Sequence, residues 1–196
     1  MRQRRDANLQ GGTTLQDEDY LEEEEQEEVI EQLEREGARQ QRYVKQLLGF
    51  LGVFLAAIYL LFAVHQVVSP YGTRHHFAFV GHLREAAVVA GELGGGASVL
   101  LATAAVLLFQ QDQPQRLWKQ LLQLSATLAM LEGLFWGTAV FRVCRSVGAE
   151  GVWRLLWLPV APLLFYLVSM QAINSLAALT PEVAALKASR YRFKRA

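Results

Sequence analysis

Four apolar runs, each bounded by turn-forming or charged residues, set the organisation of this chain. The first, Leu47 to Val68, holds 22 residues with no Asp, Glu, Lys or Arg. At 1.5 Å rise per residue it is roughly 33 Å long, enough to cross the hydrocarbon of a bilayer. It closes on His65, Gln66 and the turn sequence Ser69-Pro70-Tyr71-Gly72. The second run extends from Ala86 to Phe109 and stops where Gln110-Gln111-Asp112-Gln113-Pro114 begins. The third, Leu121 to Phe141, follows Arg116, Trp118 and Lys119, an interfacial combination of cations and indole. The fourth, Trp153 to Leu176, contains Pro159 and Pro162, and these are expected to kink its first half because neither ring nitrogen can donate to the helix ladder. The pattern predicts an all-α integral membrane protein, a four-transmembrane-helix bundle with an acidic cytosolic helix at its N-terminus.

Outside the runs the chain is polar. Residues Met1 to Gln16 lack any apolar period and are expected to be disordered. From Asp17 to Gln46, Glu, Gln, Arg and Leu dominate, proline is absent and Gly37 is the only glycine, a composition that favours helix. Acids lead and bases follow, which suits the helix macrodipole. Leu21, Ile30, Leu33, Val44 and Leu47 form a broken stripe that either docks on a partner, as in a coiled coil, or belongs to a solvated helix leading into the membrane. Residues 180–196 form a basic tail.

Charge adds an orientation. Met1 to Lys45 carries 13 acidic and 7 basic residues, and the remainder carries 6 acidic and 12 basic. With four spans both termini share one side. That side holds 11 Lys and Arg close to the span ends against 5 on the other, so the positive-inside rule places both termini in the cytosol. The ending Arg192-Phe193-Lys194-Arg195-Ala196 resembles the Lys-x-Lys-x-x class of cytosolic retrieval signals, with arginine for the outer lysine, which implies an endoplasmic reticulum or other endomembrane home.

Candidate chemistry is concentrated in and around the second and third spans. Glu92 lies about seven residues inside the non-cytosolic end of its span, shallow enough to be half-solvated, whereas Glu132 sits near the middle of the third and must face protein or a cavity. Tyr59, Ser98 and Tyr166 fall at comparable depth in their own spans. These residues could form a proton or cation path or act as polar glue between helices. Ser125, Ala129, Gly133 and Gly137 recur every four residues, and Gly91 and Gly95 offer a matching surface on the second span; small residues at this spacing let helix backbones approach, within the chain or against another membrane protein. His65, His75, His76 and His82 fall in one stretch of 18 residues beside Glu85. Histidine with carboxylate is zinc or copper chemistry, and His82 and Glu85 would share a helix face. Adjacent His75 and His76 are expected to diverge, however, and the default reading is a set of interfacial histidines, with pH sensing a further use. No metal site is assigned.

Catalytic signatures are missing. The sequence has no Gly-x-Ser-x-Gly turn, phosphate-binding glycine loop or His-Glu-x-x-His, and Cys144, the one cysteine, can form neither an internal disulfide nor a thiolate cluster. The expectation is therefore a non-catalytic accessory or scaffold subunit of an endomembrane protein complex, with no cofactor, in contact with membrane lipids and other membrane protein subunits and with no nucleic acid. The alternative is a small proton- or cation-coupled carrier or channel using Glu132 and Glu92. An integral lipid-metabolising enzyme on the histidine-rich side is the third reading.

Overall fold

The structure, a computed structural model, describes residues 14–110, 116–147, 153 and 155–193. Five helices follow in order: α1 (Thr14–Val68), α2 (Arg74–Phe77), α3 (Glu85–Leu108), α4 (Arg116–Val147) and α5 (Trp157–Phe193). No strand occurs among the described residues. Four helices are long and apolar enough to cross a membrane, over Glu28–Val68, Glu85–Leu108, Arg116–Ser146 and Trp157–Ala178. The expected all-α architecture with four such helices is therefore present.

The helices exceed the apolar runs because polar helix formers continue them. α1 is unbroken from Thr14, so the acidic stretch and the first apolar run are one helix. The turn Thr14 to Gln16 is helical where disorder was expected; residues 1–13 lie outside the described set. The interfacial stretch at Arg116 to Lys119 belongs to α4, and α5 carries on through most of the basic tail to Phe193. The turn expected around Gly148 and Gly151 and the last three residues of the retrieval-like ending lie outside the described residues.

The chain divides into two compact units, residues 1–41 with 178–196 and residues 42–177. In the first, Arg35 pairs with Glu31 one turn earlier at 2.6 Å, both exposed, an arrangement worth only a few tenths of a kcal/mol, about 0.3–0.5. The second holds the bundle. Its antiparallel registers can be read from the glycines, at each of which an added Cβ would strike the facing helix. On α1, Gly49 faces Leu107 and Gly52 faces Thr103 of α3 and Phe165 of α5. On α3, Gly91 faces Phe135 and Trp136 and Gly94 faces Glu132 of α4, while Gly95 rests on the ring of Tyr59 in α1. Gly133 of α4 faces Leu163 of α5. The helices thus close a ring in the order α1, α3, α4, α5.

Three buried layers fill the ring. Phe79, Val88, Trp136 and Leu158 anchor one end, Ala56, Tyr59, Val99 and Phe165 the middle, and Leu48, Val106, Phe109 and Ile173 the other end. Large apolar side chains are on the outside, Phe50 at 73% and Leu134 at 67% exposure, while Glu92, His76, Ser98 and Ser125 are fully buried. This inversion of the soluble pattern is what hydrocarbon as a solvent selects.

The prolines are accommodated at the start of α5. Pro159 falls in the first turn, where amide hydrogens have no helical partner in any case. Pro162 leaves the carbonyl of Leu158 without its usual donor, and the Tyr59 hydroxyl donates to that carbonyl at 3.5 Å. A side chain on α1 thereby takes over a ladder position that α5 cannot fill.

Candidate functional site

The segment between α1 and α3 is built by Tyr71. Its backbone takes a positive φ of 57°, unusual for a residue with a side chain, and two hydrogen bonds hold it there. Its amide donates to Gln66 Oε1 at 3.1 Å, and its hydroxyl donates to the carbonyl of Leu83 at 2.5 Å. The chain is thus turned back just before Thr73, whose hydroxyl accepts from the His76 amide and caps α2. Phe79 then inserts against Trp136, with ring centroids 5.3 Å apart, and fixes the segment to the bundle.

This construction turns His75 and His76 inward and together. Their rings lie 4.1 Å apart at 60°, where divergence was expected, because the helical turn is pinned from both sides. His75 packs edge-on to Phe62 at 4.4 Å and near Trp157 at 5.7 Å. His76 is fully buried, and its Nε2 lies 2.8 Å from Glu92 Oε1. Burial, with the charge of neighbouring His76 and His65, pushes His75 down to about 4; burial and His65 do the same to His76. Both shifts favour the neutral imidazole.

Glu92 is fully buried, where its position near the end of α3 had suggested partial solvation. Segment 73–79, folded over the mouth of the bundle, removes the water. Glu85 remains exposed at the first residue of α3, and His82 lies outside that helix with its Nε2 3.1 Å from Ser146 Oγ, so the two do not share a helix face. Glu132 lies against the bare backbone of Gly94, a place only glycine leaves open. Tyr59 covers Gly95, and one turn further Ser98 and Ser125 exchange hydrogen bonds: each hydroxyl donates to the other residue's carbonyl, at 3.0 and 2.9 Å. A buried polar file thus runs along α3 from His76 through Glu92, Glu132 and Tyr59 to the serine pair. Beyond it the buried positions of α3 are Val99, Ala102, Thr103, Ala105 and Val106, and Ser169 is buried on α5. Tyr166 stands apart from the file and donates to Met170 Sδ at 3.5 Å.

The small stripe on α4 divides among three surroundings. Ser125 is buried against α3, Gly133 meets Leu163 of α5, and the position of a Cβ on Gly137 is open. Ala129 is buried between the first two. At 100° per residue, positions four apart drift about 40° per step, so a run of four such positions rotates across a third of the helix. Gly137 borders a notch of about 590 Å³ along Gly133, Leu134, Thr138 and Phe141, with Arg142 and Arg145 at its end. Gly52 and Trp136 carry no reading from the sequence, although Gly52-Val53-Phe54-Leu55-Ala56 has the small-x-x-x-small signal.

Several polar atoms of the file and its cap have no hydrogen-bond partner. These are His75 Nε2, His76 Nδ1, Glu92 Oε2, Glu132 Oε2 and Gln66 Nε2, all buried. In most proteins nine-tenths of such groups are satisfied, so a cluster of exceptions marks a place built for something else.

Fold and site together define an all-helical protein with four helices able to span a membrane and a histidine-carboxylate group sealed under its interhelical cap. No family model, no curated protein sequence and no solved structure matches the chain.

Proposed function

We infer that the protein is a non-catalytic, multi-pass subunit of an endomembrane protein assembly, with both termini cytosolic. The observation that carries this reading is the notch beside Gly137. It is open to the outside of the bundle, apolar along its length, and bordered by Gly137, whose open position allows a second helix backbone to approach. Arg142 and Arg145 at its end favour a partner helix with an acidic group or a row of free carbonyls at that level. The cation count at the span ends supports the orientation.

Gly137→Leu tests the reading, since an added Cβ there meets nothing within 4 Å among the described residues. Affinity purification in mild detergent is expected to recover discrete partner subunits with the wild type and to lose them with Gly137→Leu, while the variant's melting temperature stays within a few degrees. Migration of the wild-type chain at monomer size without other proteins would overturn it.

A second reading, a proton- or cation-coupled carrier, draws on the buried carboxylate Glu92 and the half-buried Glu132. The polar file ends at Ser98 and Ser125, and past it Thr103 and Ser169 are isolated buried hydroxyls among mainly apolar side chains, which favours a stationary over a conducting role. Glu132→Gln separates the two: abolished cation-dependent flux in reconstituted vesicles selects the carrier, and unchanged flux removes it.

A further inference from the structure

We propose that His75, His76 and Glu92 form a binding site for a divalent transition-metal ion of the zinc class. Each residue offers one ligand atom, and these atoms all lie within 4.8 Å of one another. Two atoms each about 2.0 Å from a tetrahedral ion are roughly 3.3 Å apart. The contact of 2.8 Å between His76 Nε2 and Glu92 Oε1 and the outer limit of 4.8 Å bracket that separation, so side-chain shifts on the order of 1 Å close the site.

Three further observations point the same way. His75 Nε2, His76 Nδ1 and Glu92 Oε2 are buried without hydrogen-bond partners, and His76 and Glu92 are fully buried, so polar atoms lacking a partner collect in a dry place. The rings of His75 and His76 lie 4.1 Å apart, so both imidazoles are held at the same place beside Glu92. The ligand set, two nitrogens and a carboxylate, is the composition of three-ligand zinc sites with a fourth position left for water or a ligand. It disfavours calcium and magnesium, which take oxygen alone, and the absence of any thiolate disfavours Cu(I). Glu85 and His82, the pair favoured by spacing, take no part; the exposed carboxylate of Glu85 and the Ser146 contact of His82 set them outside the cluster.

The site is rigid where it needs to be. Tyr71 and Thr73 fix α2, Phe79 fastens the segment to Trp136, and Phe62 and Trp157 hold the His75 ring. A metal ion here would tie the α1–α3 connection to the third turn of α3. The inference stands independently of the partner surface on α4.

The experiment uses the full chain in mild detergent, stripped with EDTA and equilibrated with Zn²⁺, with bound metal counted by mass spectrometry. One Zn²⁺ per chain is expected, and His75→Ala, His76→Ala and Glu92→Gln should each weaken uptake by at least about 100-fold, with His82→Ala as wild type. Co²⁺ added to the stripped wild-type chain should give the intense visible bands of a four- or five-coordinate site, a readout that needs no variant to fold. Failure of the wild type to bind stoichiometric Zn²⁺, a weak octahedral Co²⁺ spectrum, or wild-type affinity in a folded His75→Ala chain would each overturn the proposal.

Discussion

Consider alanine placed at Gly91 and, separately, at Gly137. Both residues lie inside α4 or α3, and Gly→Ala in a helix interior gains about 0.8–1.0 kcal/mol from backbone entropy. At Gly91 the new methyl would stand 2.7 Å from Phe135 Cε1, 2.7 Å from Trp136 Cζ2 and 2.9 Å from Trp136 Cε2. Trp136 is fully buried and cannot swing aside, so the methyl forces the α3–α4 backbones apart, an overpacking that costs about 1–3 kcal/mol. At Gly137 nothing lies within 4 Å. The entropy gain is common to both sites, so the difference between the two variants isolates the contact: Gly91→Ala should be less stable than Gly137→Ala by about 1–3 kcal/mol. Reversible unfolding of the isolated chain in mixed micelles, followed by tryptophan fluorescence, measures this directly. If the two variants agree within the error of the titration, the close approach of α3 to α4 at Gly91 is wrong and so is the register built on it.

Other tests address single bonds. Tyr59→Phe removes the donor to the Leu158 carbonyl and should cost about 0.5–1.5 kcal/mol; in a Pro162→Ala background, where the backbone amide serves that carbonyl, the cost should vanish, as a double-mutant cycle of unfolding would show. Ser98→Ala and Ser125→Ala should each cost on the order of 0.6–1.7 kcal/mol, with the double variant losing less than the sum if each donation depends on the same close backbone approach. Gly94→Ala should destabilise more than Gly96→Ala, since the first methyl would meet the Glu132 carboxylate and the second only the Tyr59 Cβ at 3.3 Å. Treatment of the wild type with EDTA should lower its melting temperature, and Zn²⁺ should restore it, whereas His76→Ala should show neither change.

The spans were legible because hydrocarbon imposes a length and a composition that few other environments demand, and Leu47 to Val68 satisfies both. That Gly91 faces a neighbouring helix was also open to reading, from small residues at four-residue spacing. The course of Ser125, Ala129, Gly133 and Gly137 was not, because drift along the helix depends on the lengths of contact with α3 and α5, which a repeat on one helix does not encode. Glu92 looked shallow because depth was counted along α3 alone; the segment that covers it comes from elsewhere in the chain. The inward turn of His75 and His76 depends on Tyr71 at positive φ, held by Gln66 and by the Leu83 carbonyl, and no local preference of tyrosine announces such a backbone. Pro162 suggested a kink, while the partner that serves its freed carbonyl, Tyr59, lies about a hundred residues away in the chain.

The histidine-carboxylate cluster has one more property, its place in the order of synthesis. His75, His76 and Glu92 fall within an 18-residue stretch, so the loop that joins them is short and inexpensive in entropy to close. All three are made before any part of α4 or α5. At roughly 5–20 residues per second, the ribosome needs several seconds more to deliver those helices, which bring Trp136 and Leu158 to the buried layer at that end of the bundle. During that interval the three ligands are near one another along the chain and still reachable. An ion captured then would be walled in by the second half of the chain, and a mature protein would exchange it slowly even if the affinity were moderate.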